Sequence, residues 1–257
     1  MGFLYDGISS QSMKIKARLT SWQASPPLRN AFVNIPGKAG VADFGSDAAE
    51  RAITVRCNVF PQSGFAALVA VLDGMAEWLN PAGGLRQLVL DDVPDRYYHA
   101  RLSEAVNCER LIRSAGAFDL RFICPDPHAY ALADETFTFK AAGAHEVRRL
   151  KGNTDSEPIY LIKGSISSGA GSYITIQTND DELRVAGPLA VGETLIVDTG
   201  KLTAKVADGQ GETLRNGLPY LRELNFPILR KGANTVTIKT AGAIFSELRI
   251  QAGSRWR

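Results

Sequence analysis

Leu85-Arg86-Gln87-Leu88-Val89-Leu90-Asp91-Asp92-Val93-Pro94-Asp95-Arg96-Tyr97-Tyr98-His99-Ala100-Arg101-Leu102 and, after a gap, Gly116-Ala117-Phe118-Asp119-Leu120-Arg121-Phe122-Ile123-Cys124-Pro125-Asp126-Pro127-His128-Ala129-Tyr130 decide how this chain folds. Leu88 and Leu90 lead into Asp91 to Arg96, where Asp92, Pro94 and Asp95 supply local side-chain hydrogen bonds and a fixed φ, so a strand has to reverse there. Beyond the reversal Tyr98, Ala100 and Leu102 point one way and His99, Arg101 and Ser103 the other, because successive Cβ atoms alternate across a strand. Phe118, Leu120, Phe122 and Cys124 repeat the pattern, with Asp119 and Arg121 opposite. Cys124-Pro125-Asp126-Pro127 then forbids continuation of a helix or a central strand. A domain is expected to end just beyond, which divides the chain into 1–133 and 134–257.

Upstream, Ile53, Val55, Cys57 and Val59 form a clean period-2 strand. Directly after it Phe65, Leu68, Val69, Leu72, Met75, Ala76 and Leu79 fall at helical spacing, with Pro61 and Ser63 at the start and Asn80-Pro81 and Gly83-Gly84 at the end. This helix should lie on the sheet formed by its neighbours, with Trp78 as a packing residue. Met13, Ile15, Ala17 and Leu19 alternate with Lys14, Lys16 and Arg18, a strand with one wet basic face. Ala31 to Ile35 reads as another strand. From Pro36 to Glu50 the composition turns to Gly, Ala, Asp and Ser, and a loop this long inside a compact domain has a job or is disordered.

Downstream of Tyr130 no amphipathic helix is visible, and short apolar runs recur between turn signals. Thr136 to Lys140 and Glu146 to Leu150 read as a hairpin. Ile159 to Ile162, Tyr173 to Ile176, Leu183 to Val185, Thr194 to Val197, Leu202 to Val206, Leu224 to Leu229, Thr235 to Ile238 and Leu248 to Ala252 follow as strands. The fold class is therefore mainly β: an α+β first domain with one helix on a sheet or split barrel, then a galectin-like or jelly-roll β-sandwich.

With 45% hydrophobic and 22% charged residues among 257, the composition is that of a folded globular protein. A net charge of +2 supplies no bulk attraction to nucleic acid. No apolar run approaches the ~20 residues that cross a bilayer, so no membrane insertion is expected. Met1-Gly2-Phe3-Leu4-Tyr5-Asp6 lacks the basic start and apolar core of a signal peptide, so the chain is expected to stay in the cytosol that makes it unless something carries it out. Cys57, Cys108 and Cys124 have no metal-like spacing, and Cys57 and Cys124 fall on apolar strand faces as small buried hydrophobes.

Catalytic patterns are missing. His99, His128 and His145 do not pair at zinc spacing, and there is neither a nucleophile elbow nor a Walker loop. Gly169-Ala170-Gly171-Ser172 lacks a following helix and reads as a glycine-rich hairpin rather than a phosphate cradle. Asp91, Asp92 and Asp95 form the densest acidic cluster, but Asp-x-Pro-Asp-Arg is turn chemistry. The residues call for no enzyme activity, cofactor or metal. The sandwich architecture often binds sugars, with Tyr173, Tyr220, Phe245 and Trp256 as candidate stacking residues; fold alone does not establish this.

The quoted strands resemble the N-terminal domain of the distal tail proteins of siphovirus-type bacteriophages and related prophage tail devices. Further matching pieces are Phe3-Leu4-Tyr5-Asp6-Gly7-Ile8, Ile35-Pro36-Gly37-Lys38-Ala39-Gly40 through Phe44-Gly45, and Leu224-Asn225-Phe226-Pro227-Ile228-Leu229-Arg230-Lys231-Gly232-Ala233-Asn234. The resemblance implies a virion structural protein at the tail tip or baseplate, made in the bacterial cytoplasm. It implies a homo-hexameric ring that joins the tail tube protein to the baseplate hub or tail-tip protein, carries receptor-binding proteins, and lets DNA pass its lumen without specific binding. The 36–50 segment would be an arm reaching to the next subunit, ordered mainly in the ring, with Pro36, Gly37, Lys38, Val41, Asp43 and Phe44 as contact residues. The alternative is a carbohydrate-binding adsorption protein acting through the C-terminal sandwich.

Overall fold

A computed structural model describes residues 1–112, 114–169 and 171–257. Ala170, in the glycine-rich stretch, lies outside them. The chain divides into two compact units, Met1–Leu132 and Ala133–Trp256.

The first unit contains β1 (Phe3–Tyr5), β2 (Ile8–Ser9), β3 (Ile15–Leu19), β4 (Leu28–Val33), β5 (Ala42–Ala48), β6 (Arg51–Val59), helix α1 (Phe65–Trp78), β7 (Arg86–Leu90), β8 (Val93–Leu102), β9 (Glu109–Ile112), β10 (Ala115–Cys124) and β11 (Ala129–Ala131). One antiparallel sheet runs β2-β1-β7-β8-β10-β6-β3, with β9 on β10 and β11 on β8. Along β6 and β10 every second residue is buried, from Ile53 to Val59 and from Phe118 to Cys124, as the period-2 reading requires. Helix α1 covers this face: Trp78 stacks on Phe3 at 5.5 Å and its indole N–H donates to the Tyr5 carbonyl at 3.0 Å. The expected helical stripe is narrower than the sequence pattern. Leu68, Met75 and Leu79 are buried and Leu72 is half-buried, but Phe65 and Ala76 face solvent, because they lie at the flanks of the stripe.

The reversal after β7 is tighter than Asp91 to Arg96. Leu90 pairs with Val93, so only Asp91 and Asp92 turn, and Pro94, Asp95 and Arg96 lie in β8. The register slips between Leu88 and Leu90, which places Pro94 in an irregular stretch of ladder where its missing N–H is tolerated. β8 keeps β7 on one edge, through Tyr98, His99 and Ala100, and on its other edge takes β11, Tyr97 pairing with Tyr130 and Arg96 with Ala131, and then β10. The two prolines after Cys124 therefore interrupt the sheet without ending the unit.

The second unit holds β12 (Thr136–Phe139), β13 (Gly143–Arg149), β14 (Ile159–Ile166), β15 (Tyr173–Thr178), β16 (Asp181–Val185), β17 (Thr194–Asp198), β18 (Thr203–Ala207), β19 (Thr213–Asn216), β20 (Gly232–Ala241) and β21 (Ala243–Gln251). One sheet is ordered β12-β21-β14-β17-β18-β19 and the other β13-β20-β15-β16. Tyr160, Ile162, Leu195, Val197 and Ile250 from the first meet Ile174, Ile176, Leu183, Val236 and Ile238 from the second in one core, a β-sandwich. The segments read as a 136–150 hairpin do not pair with each other: β12 joins β21 and β13 joins β20. The chain crosses between sheets there so that Phe137 and Phe139 pack from one side and Val147 from the other. Leu224 to Leu229 is not a strand. Pro227 interrupts it, Leu224 stays exposed, and only Leu229 returns to a bridge with Ser156.

Candidate functional site

The segment expected as a loop arm is a β-hairpin. β4 and β5 pair Leu28 with Ala48, Arg29 with Asp47, Asn30 with Ser46, Phe32 with Asp43 and Val33 with Ala42, with a slip between Asn30 and Phe32 opposite Phe44 and Gly45. Asp43 Oδ1 accepts the Gly45 N–H at 2.8 Å, and Gly45 sits at φ 95°, where a side chain would be strained. The bulge leaves Phe44 71% exposed, and Leu28, Phe32, Val33, Ile35 and Val41 are exposed with it. At the tip Pro36, Gly37 and Lys38 are exposed, the Lys38 N–H donating to the Ile35 carbonyl at 3.1 Å. The six candidate contact residues thus lie on one hairpin. A two-stranded hairpin is marginally stable alone in water, and clustered exposed apolar side chains mark a surface meant to be covered.

Sequence reasoning missed the residue that roots this arm. Arg51, 4% exposed at the start of β6, donates from Nη1 to the Gln23 carbonyl at 2.9 Å and from Nε to the Pro127 carbonyl at 3.0 Å, with its guanidinium 5.8 Å from the Tyr98 ring centroid. It ties the strand that returns from the arm to the chain that enters it and to the loop after β10. Within that loop Asp126 accepts the His128 backbone N–H at 3.1 Å and the Tyr130 hydroxyl, with His128 Nδ1 at 2.7 Å. Burial would raise the Asp126 carboxyl, yet these bonds outweigh it and hold it at about 2.

β3 forms one edge of the sheet, and Lys16 and Arg18 stand exposed along it. Arg18 lies opposite Arg56, whose Nη1 is held by Asp119 at 3.1 Å. Like charges directly opposite cost stability in an isolated sheet, and charged edge residues deter indiscriminate strand pairing.

Nothing assembles around the acidic cluster. Asp95 is paired with Arg96 at 3.0 Å, and among the described residues no group of three or more His, Cys, Asp or Glu is placed to hold a metal ion. The histidines sit in separate surroundings: His99 beside Tyr97 and Tyr130, His128 on Asp126, His145 against Phe139. No helix among the described residues is long and apolar enough to cross a membrane. Cys57 and Cys124 are buried free thiols, pushed up to about 12 by that burial. The sugar-stacking candidates are dispersed. Tyr173 opens β15 with the Arg184 guanidinium 4.0 Å over its ring; Tyr220 accepts from Arg215 Nε at 2.8 Å on a short 3-10 turn; Phe245 lies on β21 against the core; Trp256 is half-buried in a two-residue strand, Arg255–Trp256.

Residues 9–124, the sheet, the helix and the arm, match the family described as phage tail protein RIFT-related domain. The whole chain is similar in fold to SPP1 Dit (gp 19.1), described as a paradigm of hub adsorption apparatus in phages that infect Gram-positive bacteria, with a TM-score of 0.74 and 16% identity, covering 100% of this chain and 99% of that one. It is also similar to chains of the phage p2 baseplate in its activated conformation, with strontium (TM-score 0.51, 10% identity, 96% of this chain and 94% of that one) and with calcium (0.52, 8%, 99% and 97%). No curated protein matches the chain in sequence.

Proposed function

We propose that this protein is a distal tail protein that forms a ring, a hexamer, at the end of a phage tail tube. The observation that carries the reading is end-to-end likeness of fold: both units, in the same order, cover SPP1 Dit almost completely. Residues 1–133 close the ring by head-to-tail contacts, a heterologous interface in which the arm of one copy lies on the next. The exposed apolar hairpin supports this, since its side chains gain burial only from a partner. The β3 edge, with its basic row, offers a second contact line toward a neighbouring copy. The ring joins the tube protein on one side to the baseplate hub or tail-tip protein on the other, in the virion, after synthesis in the bacterial cytoplasm. Residues 134–257 support receptor-binding parts. The near-neutral net charge suits a lumen that lets DNA through without holding it.

The test is a double substitution, Phe32→Ser with Phe44→Ser. Both side chains are exposed, so the melting temperature should stay within a few degrees of wild type. Assembly, read by mass photometry, should shift toward single chains at concentrations where wild type forms rings. Rings of unchanged abundance would show that the arm does not close them.

A further inference from the structure

From the outer face of the larger sheet we infer a saccharide-binding groove that none of the aromatic candidates marks. Leu161 on β14 stands between Arg249 on β21 and Ile196 on β17, and in the next row Lys163 stands between Glu247 and Thr194. A sheet face of this kind is ordinarily open. Here the turn from Asp208 to Gly211, between β18 and β19, supplies a wall on one side, and the open groove holds about 250 Å³. The wall is rigid: Asp208 Oδ1 accepts the backbone N–H groups of Gln210 and Glu212, each at 2.9 Å, and the Gly211 N–H returns to the Asp208 carbonyl at 3.2 Å.

The chemistry of the lining selects the ligand class. Glu247 Oε1 lies 3.6 Å from Lys163 Nζ and 3.5 Å from Arg249 Nη2, both long contacts. Two cations and a carboxylate, loosely held, therefore offer donors and acceptors to a ligand that has both. A bare anion would meet Glu247 and Asp208, and an apolar ligand would strand the charged groups without hydrogen bonds. A neutral sugar satisfies all of them: its vicinal hydroxyls bridge Glu247 to Lys163 and Arg249, and the C–H face of its ring lies on Leu161 and Ile196. The volume falls just below the range of about 300–1,000 Å³ for small-molecule sites, which suits one sugar unit of a longer chain. The groove lies within the second unit, so it stands whether or not the first unit closes a ring.

The test uses the full chain and saturation-transfer NMR with glucose, galactose, N-acetylglucosamine and rhamnose, each free and as a short oligosaccharide. At least one should bind saturably, with the strongest transfer to ring C–H protons of one face. Glu247→Ala and Arg249→Ala should each weaken it about tenfold or more, as expected for loss of a hydrogen bond to a charged group. Should Glu247→Ala melt early, Glu247→Gln keeps the packing and should weaken binding as well. Absence of saturable binding by every sugar, affinity unchanged in these variants, or displacement of the sugar by inorganic phosphate would each overturn the assignment.

Discussion

Arg51 shows what a single position can reveal and how it is overlooked. It occupies the inward phase of the alternation that continues through Ile53, Val55, Cys57 and Val59, so parity alone places a guanidinium under the sheet. Reading charge as surface hid it. The thiols were legible for the same reason of parity. Cys57 and Cys124, buried and held near 12, should resist iodoacetamide at pH 8 in the native protein, while half-buried Cys108 should label first; mass spectrometry of the peptides reads the order. Glu193 was not legible, because its partner lies far along the chain. Arg215 grips its two carboxylate oxygens at 2.6 Å each, and with the Ala190 N–H holds the carboxyl at about 2. The folded value lies below the ordinary unfolded value of about 4.3. The stabilisation is therefore full above that value and is lost as pH falls through about 2. Glu193→Gln should melt below wild type at pH 7, and the gap should close by pH 2.

Among the elements, local periodicity was readable and long-range pairing was not. The strands β6, β10, β14 and β15 follow from alternation, and α1 from its stripe, since those signals lie within the segment itself. The partner choice of β12 and β13 depends on residues about a hundred positions away, and the slip between β7 and β8 on a bulge, and no local pattern encodes them. The arm combined both failures: glycine and small polar residues masked a hairpin whose strands bury nothing within their own unit. For the helix, the inward residues decide stability. Leu68, 1% exposed, should cost about 2–5 kcal/mol when changed to Ala. Half-buried Leu72 should cost clearly less on the same change. Urea unfolding of the two variants checks the order, and equal losses would mean that the stripe is centred elsewhere.

At the scale of the whole molecule, each unit satisfies its own core, yet the surface keeps an apolar hairpin that fulfils no need of a single chain. That Pro36 to Phe44 form a distinct segment was legible from composition; that they share one hairpin was not. The dispersal of Tyr173, Tyr220, Phe245 and Trp256 was not legible either, because aromatic type says nothing about which faces lie together. Working by shape against copies of itself is the reading that joins these features to the distal tail fold. Its most direct measurement is the mass of the purified full-length protein in solution, taken across concentration and paired with negative-stain images. A discrete species at six times 27.8 kDa that appears as an annulus is the expected result. A single chain at every concentration, with no annulus even when the tail tube protein is added, would contradict it.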